Sequence, residues 1–282
     1  MISSSFCALA ILSVALALPM PDDALSEQSS NSTTPTVSFA ADPSINVAAI
    51  YAAAKAATSD SLATFPTTQA KTVYSTIYGD WLNLTGVSAF QFIADMDVDC
   101  DGVAFQCEGN SSSEGTTSFG HLDATQVPYF VIPDQFTSPQ LKPNALGAII
   151  CDGKMFYAIF GDTNGDGVPV DADGHAQEVI GEASLLLAQT CFPDAGITGA
   201  NGHGPADVAY IVFGDQVPSG VGDTTIDIGE LKTLGDQQVK LLQAALNIDG
   251  GSPASAGEGT SQSATPTSAT SLPDQSKSST PE

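Results

Sequence analysis

The sequence predicts an α+β protein: a single β-rich core, antiparallel or barrel-like, flanked by one helix on the N-terminal side and one on the C-terminal side. Three observations carry this. The middle of the chain is a series of short apolar or alternating runs bounded by Gly, Pro and Asp. The two flanks switch to apolar residues at helical spacing. Ser/Thr/Pro-rich ends enclose roughly 200 residues, enough for one sizeable core, and neither a repeat nor a second domain is evident.

In chain order, residues 1–17 hold an apolar run from Phe6 to Ala17 that ends in Ala15-Leu16-Ala17, an A-x-A cleavage signature. The run is shorter than the ~20 residues a membrane span needs, so it reads as a secretory signal peptide, though without Lys or Arg before it. Residues 18–43 form a flexible Ser/Thr/Pro-rich lead-in. Ser44–Thr58 repeats apolar residues at helical spacing, with Ser44 as the expected cap after Pro43. Val87–Ala94, Val127–Ile132, Ala145–Ile150, Met155–Phe160 and Val208–Phe213 read as strands. Glu182–Thr190 fits either a helix or a buried strand. Ile226–Leu246 is a helix with Leu231, Leu234, Val239, Leu241, Leu242 and Leu246 on its apolar face. Residues 250–282 contain one Leu and no aromatic. They cannot bury enough apolar surface to offset the entropy of ordering, and they read as a disordered, O-glycosylated tail without the hydrophobic stretch of a GPI signal.

Seven lysines and no arginine face 32 acidic residues, for a net charge of −25. Residues 90–215 alone hold 18 Asp/Glu against Lys142 and Lys154, so the surplus lies in the folded part. Such a field excludes nucleic acid and anionic membranes as partners and draws in cations; simple solubility of an acidic exported protein is the rival explanation. Cys100, Cys107, Cys151 and Cys191 remain once the signal is removed, an even count that points to two disulfides. Cys100–Cys107 and Cys151–Cys191 are the favoured pairs, since the first is local and would staple a loop. Asn31, Asn83 and Asn110 each open an N-x-Ser/Thr acceptor.

The chain has no P-loop glycine run, HExxH helix, G-x-S-x-G elbow or CxxC pair. What could carry chemistry is acidic. Asp162 leaves an apolar strand into a Gly/Asn-rich turn, and Glu182 opens the next apolar segment. Two carboxylates brought together in this way suit acid/base hydrolysis of a glycosidic bond. The densest cluster is Asp95, Asp97, Asp99 and Asp101; from Asp97 to Glu108 it fits the EF-hand loop pattern. The alternating VSAFQFIA before it is strand-like, and Cys107 stands where a second helix should begin. Another kind of calcium site, a substrate-facing acidic loop and a solvated turn therefore stay open beside it. Asp162 to Gly167 also begins like a calcium loop but has Asp173 where the final Glu is needed. His121, His175 and His203 lack metal-ligand spacing, and Trp81 and Tyr78 read as core aromatics with sugar stacking as the alternative.

Five segments appear in order: FQFIADMDVDCDGVAFQC, FGHLDATQVPYFVIPDQF, GAIICDGKMFYAIFGDTNGDG, IGEASLLLAQTCF and NGHGPADVAYIVF. Together they closely resemble the fungal chitosanases of glycoside hydrolase family 75, from about Val87 to Phe213. The resemblance implies a secreted enzyme that cleaves chitosan internally with inversion, using the Asp of GDTNG and the Glu of GEAS. By motif these are Asp162 and Glu182. Residues 44–249 are then the expected catalytic domain, with chitosan as the partner of a monomer. Asp97, Asp99 and Asp101, whose charges would favour the glucosamine ammonium groups, and Asn164 in the Gly/Asn turn are the expected substrate contacts, and nothing in the sequence requires a metal or organic cofactor. Glu182 is expected as the acid and Asp162 as the base, although the roles could be exchanged. Between the two motifs GVPVDADGHAQEVI is longer than the family pattern, which makes Glu178 the residue most open to confusion with Glu182. A calcium-dependent binding module on the Asp97–Glu108 loop and a non-catalytic wall-associated protein are the competing classes.

Overall fold

The computed structural model describes residues 38–68, 70–103, 107, 109–110, 114–136, 138, 140–165 and 178–249. The signal peptide, most of the lead-in, the tail, the Asn31 acceptor, Glu108, Asp173 and His175 lie outside these residues. In chain order the elements are α1 Val47–Ala56, β1 Ser61–Pro66, β2 Tyr74–Tyr78, β3 Phe90–Asp99, β4 Tyr129–Pro133, β5 Leu146–Cys151, β6 Lys154–Asn164, β7 Glu182–Ser184, α2 Leu185–Cys191, β8 His203–Phe213 and α3 Ile228–Ala245. No described helix is long and apolar enough to cross a membrane.

The sheet order β1-β2-β3-β7-β4-β6-β5-β8, with β8 returning to pair with β3, closes a six-stranded barrel. β1 and β2 extend outward from β3 as an antiparallel pair. Barrel-like is therefore the form realised, but the ring is mixed: β3–β7 and β4–β6 run parallel and the other pairs antiparallel. Parallel neighbours need long crossovers, and short strand-like runs in a sequence do not reveal such pairings.

Alternation along each strand sorts side chains into two layers. Phe92, Ala94 and Met96 of β3, Phe130 and Ile132 of β4, Ala158 and Phe160 of β6, and Tyr210 and Val212 of β8 form one buried cluster inside the barrel. Their alternates, among them Tyr129, Leu146, Ala148, Tyr157, Ala209 and Ile211, join Ile50 of α1 and Leu231, Val239 and Leu242 of α3 on the outside. Trp81, 4% exposed, belongs to this outer layer. α3 approaches closely at Gly235, where a Cβ would stand 2.4 Å from the Tyr157 ring.

The flanking helices are shorter than their sequence patterns. α1 is capped by Asn46, which accepts from Ala49 N at 3.2 Å; Ser44 instead donates to Asp42 Oδ1 in the preceding turn. α3 begins after Asp227, whose carboxylate takes the amides of Gly229 and Glu230. Glu182–Thr190 resolves as both alternatives in succession. Ser184 ends β7 in extended geometry, and its hydroxyl oxygen accepts from Leu187 N to start α2. Cys100 bonds Cys107, and Cys151 at the end of β5 bonds Cys191 at the end of α2, the connectivity favoured from the sequence.

Candidate active site

The site forms where β3, β7 and β6 end together, and strand register decides which side chains reach it. Val98 and Ala183 pack against the barrel interior. Their neighbours Asp97, Asp99, Glu182 and Ser184 consequently take the other face. The parallel pairing sets Asp97 opposite Glu182 and Asp99 opposite Ser184, and Asp97 N donates to Gly181 O at 2.8 Å.

Asp162 reaches the same face by a β-bulge. Phe130 pairs with Phe160, both interior, yet the next residue, Val131, pairs with Asp162. Gly161 is the extra residue. Were it paired in regular register with Val131, Asp162 would oppose Ile132 and point into the apolar interior. Only glycine fits there, because a Cβ would stand 2.5 Å from Tyr129 Cβ and 2.9 Å from Leu122 Cδ1.

The two carboxylates stand in different surroundings. Asp162, 4% exposed, accepts at Oδ1 from Ser118 N at 2.8 Å, Ser118 Oγ at 2.6 Å and Thr163 N at 2.7 Å. Burial raises its pKa, and those hydrogen bonds oppose the rise by favouring the ionised form. Glu182 accepts at Oε2 from Asn164 Nδ2 at 2.8 Å. Desolvation, followed by the charges of Asp97, Asp101 and Asp162, pushes its pKa up to about 7. Both acids are thus raised by burial, but three donors favour the ionised form of Asp162 whereas one donor and three like charges act on Glu182, unequal surroundings of the kind an acid/base pair uses.

Asp97, Asp99 and Asp101 surround this pair. Burial lifts all three, Asp99 the furthest with Glu182 and Asp162 adding repulsion, and Asp101 to about 6. Asp99 Oδ1 accepts from Asp101 N, Asp101 Oδ1 accepts from Glu114 N, and the Tyr129 hydroxyl donates to the Asp101 carbonyl at 3.2 Å. Among the described residues, none of these five carboxyls has a lysine or histidine in an ion pair with it. Carboxylate oxygens of Asp99, Asp101 and Asp162 lie within 4.8 Å of one another, a donor set of hard oxygens that could hold a divalent cation. The EF-hand reading fails on its entry element: the residues through Asp99 form a ten-residue strand where that motif has a helix.

Asn164 spends both amide hydrogens inside the protein, on Glu182 Oε2 and on Val179 O at 3.0 Å. Glu178 lies apart from the cluster. It is 3% exposed, accepts from Gln135 N at 3.1 Å, and is raised to about 7 by burial and by Asp134. The two described histidines lie in other contacts: His121 meets Asp223, and His203 meets Asp207 while stacking on Phe192. Ser118, Thr163, Tyr129 and Glu114 escaped the sequence reading. An isolated loop serine has no spacing signal, and the bulge that aims Asp162 is a property of pairing between distant strands. Beside Thr163 a cleft of ≈ 480 Å³ opens, lined by Phe119, Pro133, Asp134, Phe136 and Phe160 among others. Ser118, next to Phe119, connects it to Asp162.

Residues 96–240 match the model of a family described as fungal chitosanase of glycosyl hydrolase group 75. Endo-chitosanase C of Aspergillus oryzae is 46% identical over 225 residues, which cover 77% of this chain and 57% of that protein. Endo-chitosanase B of the same species is 37% identical over 175 residues, covering 53% of this chain and 68% of the relative. An endo-chitosanase of Aspergillus fumigatus is 33% identical over 192 residues, covering 59% and 76%. The chain therefore spans little more than half the length of the first of these relatives.

Proposed function

The chain belongs to the fungal chitosanases of glycosyl hydrolase group 75, and from that membership we propose that it is an exported enzyme that hydrolyses chitosan at internal glucosamine linkages. The observation that carries the reading is the unequal treatment of two neighbouring carboxyls: Asp162 under three donors, Glu182 under one donor and three repelling charges.

Glu182 gives its proton to the leaving glycosidic oxygen. Asp162, ionised, removes a proton from water attacking the opposite face of the sugar, so the anomeric centre inverts. Asn164 holds Glu182 Oε2, which leaves Oε1 to carry the transferred proton. Asp97, Asp99 and Asp101 favour the ammonium groups of glucosamine and the positive charge developing at the anomeric carbon. The cleft beside Thr163, with apolar walls and the Asp134 carboxylate, suits further aminosugar units of the polymer. One chain contributes all five carboxyls, so a monomer suffices.

The test is release of reducing ends from soluble chitosan. The wild-type protein should cleave it, and Asp162→Asn and Glu182→Gln should each lose about 10²- to 10⁴-fold in rate while remaining folded. Near-normal rates in either variant would remove that residue from its role. A second reading, a calcium-dependent binding site, has the Asp99–Asp101–Asp162 proximity in its favour. Chelator would abolish the function of such a module and leave the two-carboxylate hydrolase unchanged.

A further inference from the structure

We propose that Asp95 is a positioning residue for Glu182: a buried carboxyl set behind Gly181 that helps keep Glu182 in its proton-bearing form. The inference rests on reading Glu182 as the acid. Asp95 itself touches no substrate in this reading; it acts through its neighbour.

Alternation on β3 turns Asp95, Asp97 and Asp99 to one face. Asp97 is the register partner of Glu182. Asp95, one pleat earlier, abuts the residue that leads into Glu182. Gly181 has φ +106°, and a Cβ there would stand 2.3 Å from Asp95 Oδ1 and 3.0 Å from Ala94 Cβ. The β3–β8 pairing shifts register between Ala94 and Met96, with the extra residues on β8, so the alternation of β3 is kept.

Asp95 is 1% exposed, and its Oδ1 has no hydrogen-bond partner. The Thr67 hydroxyl faces the carboxyl and favours its ionised form, and the Tyr210 hydroxyl donates to the Asp95 backbone carbonyl at 2.8 Å. A carboxylate with a bare oxygen in a dry site is costly, whereas the neutral acid is far less so. Among the described residues, the titratable groups that act on it or respond to it are Asp97 on its own strand, Glu182 on β7 and the phenol of Tyr210 on β8; Thr67, just after β1, faces it with a hydroxyl. Every charge these neighbours can carry is negative. Burial first, then Asp97 and to a lesser degree Glu182, raise Asp95 to about 7, beside a Glu182 raised to about 7. The two acids repel each other once both ionise, so losing the first proton makes losing the second harder. Asp95 thereby extends toward neutrality the range in which Glu182 can donate.

The experiment is the pH profile of kcat/KM on soluble chitosan for the wild-type protein and Asp95→Asn. Asparagine keeps a partner for Thr67 and removes the charge. The alkaline limb should move to lower pH by about half a unit or more, with rates on the acidic plateau within about twofold, since the neutral acid is only exchanged for a neutral amide. A residue that matters only for packing would lower the thermal midpoint and leave the limb where it is. A limb that stays put or moves upward in a folded variant overturns the inference. Should Asp95→Asn not fold, ¹³C titration of the Asp95 carboxyl in wild type and in Glu182→Gln decides by reciprocity. Its midpoint should fall in the variant, and an unchanged midpoint overturns the coupling. A wild-type protein that does not cleave chitosan defeats the proposed function itself. A cleaving enzyme whose profile ignores Asp95→Asn defeats this inference alone.

Discussion

Two carboxylate-bearing regions of this barrel follow opposite rules. Under α3, each charge is matched. Asp236 takes Lys232 Nζ at 2.7 Å, the Tyr157 hydroxyl at 2.8 Å and Asp42 N at 2.9 Å; Lys232 also donates to the Ala40 carbonyl, and Lys240 reaches Asp42 at 3.1 Å. Ser44, through its hydroxyl and amide, and then Lys240 hold the Asp42 carboxyl well below the usual range. At the mouth formed by β3, β6 and β7, five carboxyls crowd together without a described cation, and all are raised. The first arrangement ties the N-terminal segment to the C-terminal helix. The second works against folding at neutral pH. A group whose folded pKa lies above its unfolded value stabilises the fold below the unfolded pKa and loses that contribution as pH rises through the folded one. For Glu182 this window runs from its ordinary 4.5 to about 7. Such a cost is typical of sites shaped by chemistry and not by stability.

The contrast breaks most visibly at Glu182. Glu182→Gln should lower hydrolysis by about 10²- to 10⁴-fold, yet at pH 8 its thermal midpoint should equal or exceed that of wild type, because the variant no longer buries a charge. At pH 5 the midpoints should converge. A large loss of stability at both pH values would place Glu182 among the fold's supports and dissolve the contrast.

Gly161 comes next. Gly161→Ala forces a methyl against Tyr129 and Leu122, and relief requires moving the bulge that aims Asp162. A displacement near 1 Å at a reacting group can lower turnover about 100-fold, so kcat should fall by that order with the fold retained. Unchanged kcat would mean that Asp162 does not depend on the bulge.

The smallest expected effect lies under α3. Asp236→Ala strands the Tyr157 hydroxyl and Lys232, a loss of about 1–3 kcal/mol readable as a lower urea midpoint. kcat should not change. A catalytic defect would show that the two regions are coupled.

How much of this was legible beforehand follows the range of the interactions involved. The five strand-like runs form β3, β4, β5, β6 and β8, because alternation and bounding turns are local signals. β1 and β2 were missed. Their outward faces are polar, as in the Thr64–Thr76 hydroxyl pair, and a half-exposed edge lacks the apolar run that marks a buried strand. The parallel pairings, the closure of β8 on β3 and the bulge at Gly161 depend on partners tens of residues away and leave no local trace. Asp162 and Glu182 were reached through turn chemistry and family motifs, and the structure brings them into one cluster with Asp97, Asp99 and Asp101. Ser118 and Asp95, which distinguish the environments of that pair, carry no signal in spacing at all.

The most direct test is a ¹³C titration of the side-chain carboxyl of Glu182, assigned by loss of its signal in Glu182→Gln. A midpoint near 7 is expected, with the shift spread over more than one step as its acidic neighbours titrate. A single step near the ordinary glutamate value would contradict the claim that the barrel mouth holds a proton ready for transfer.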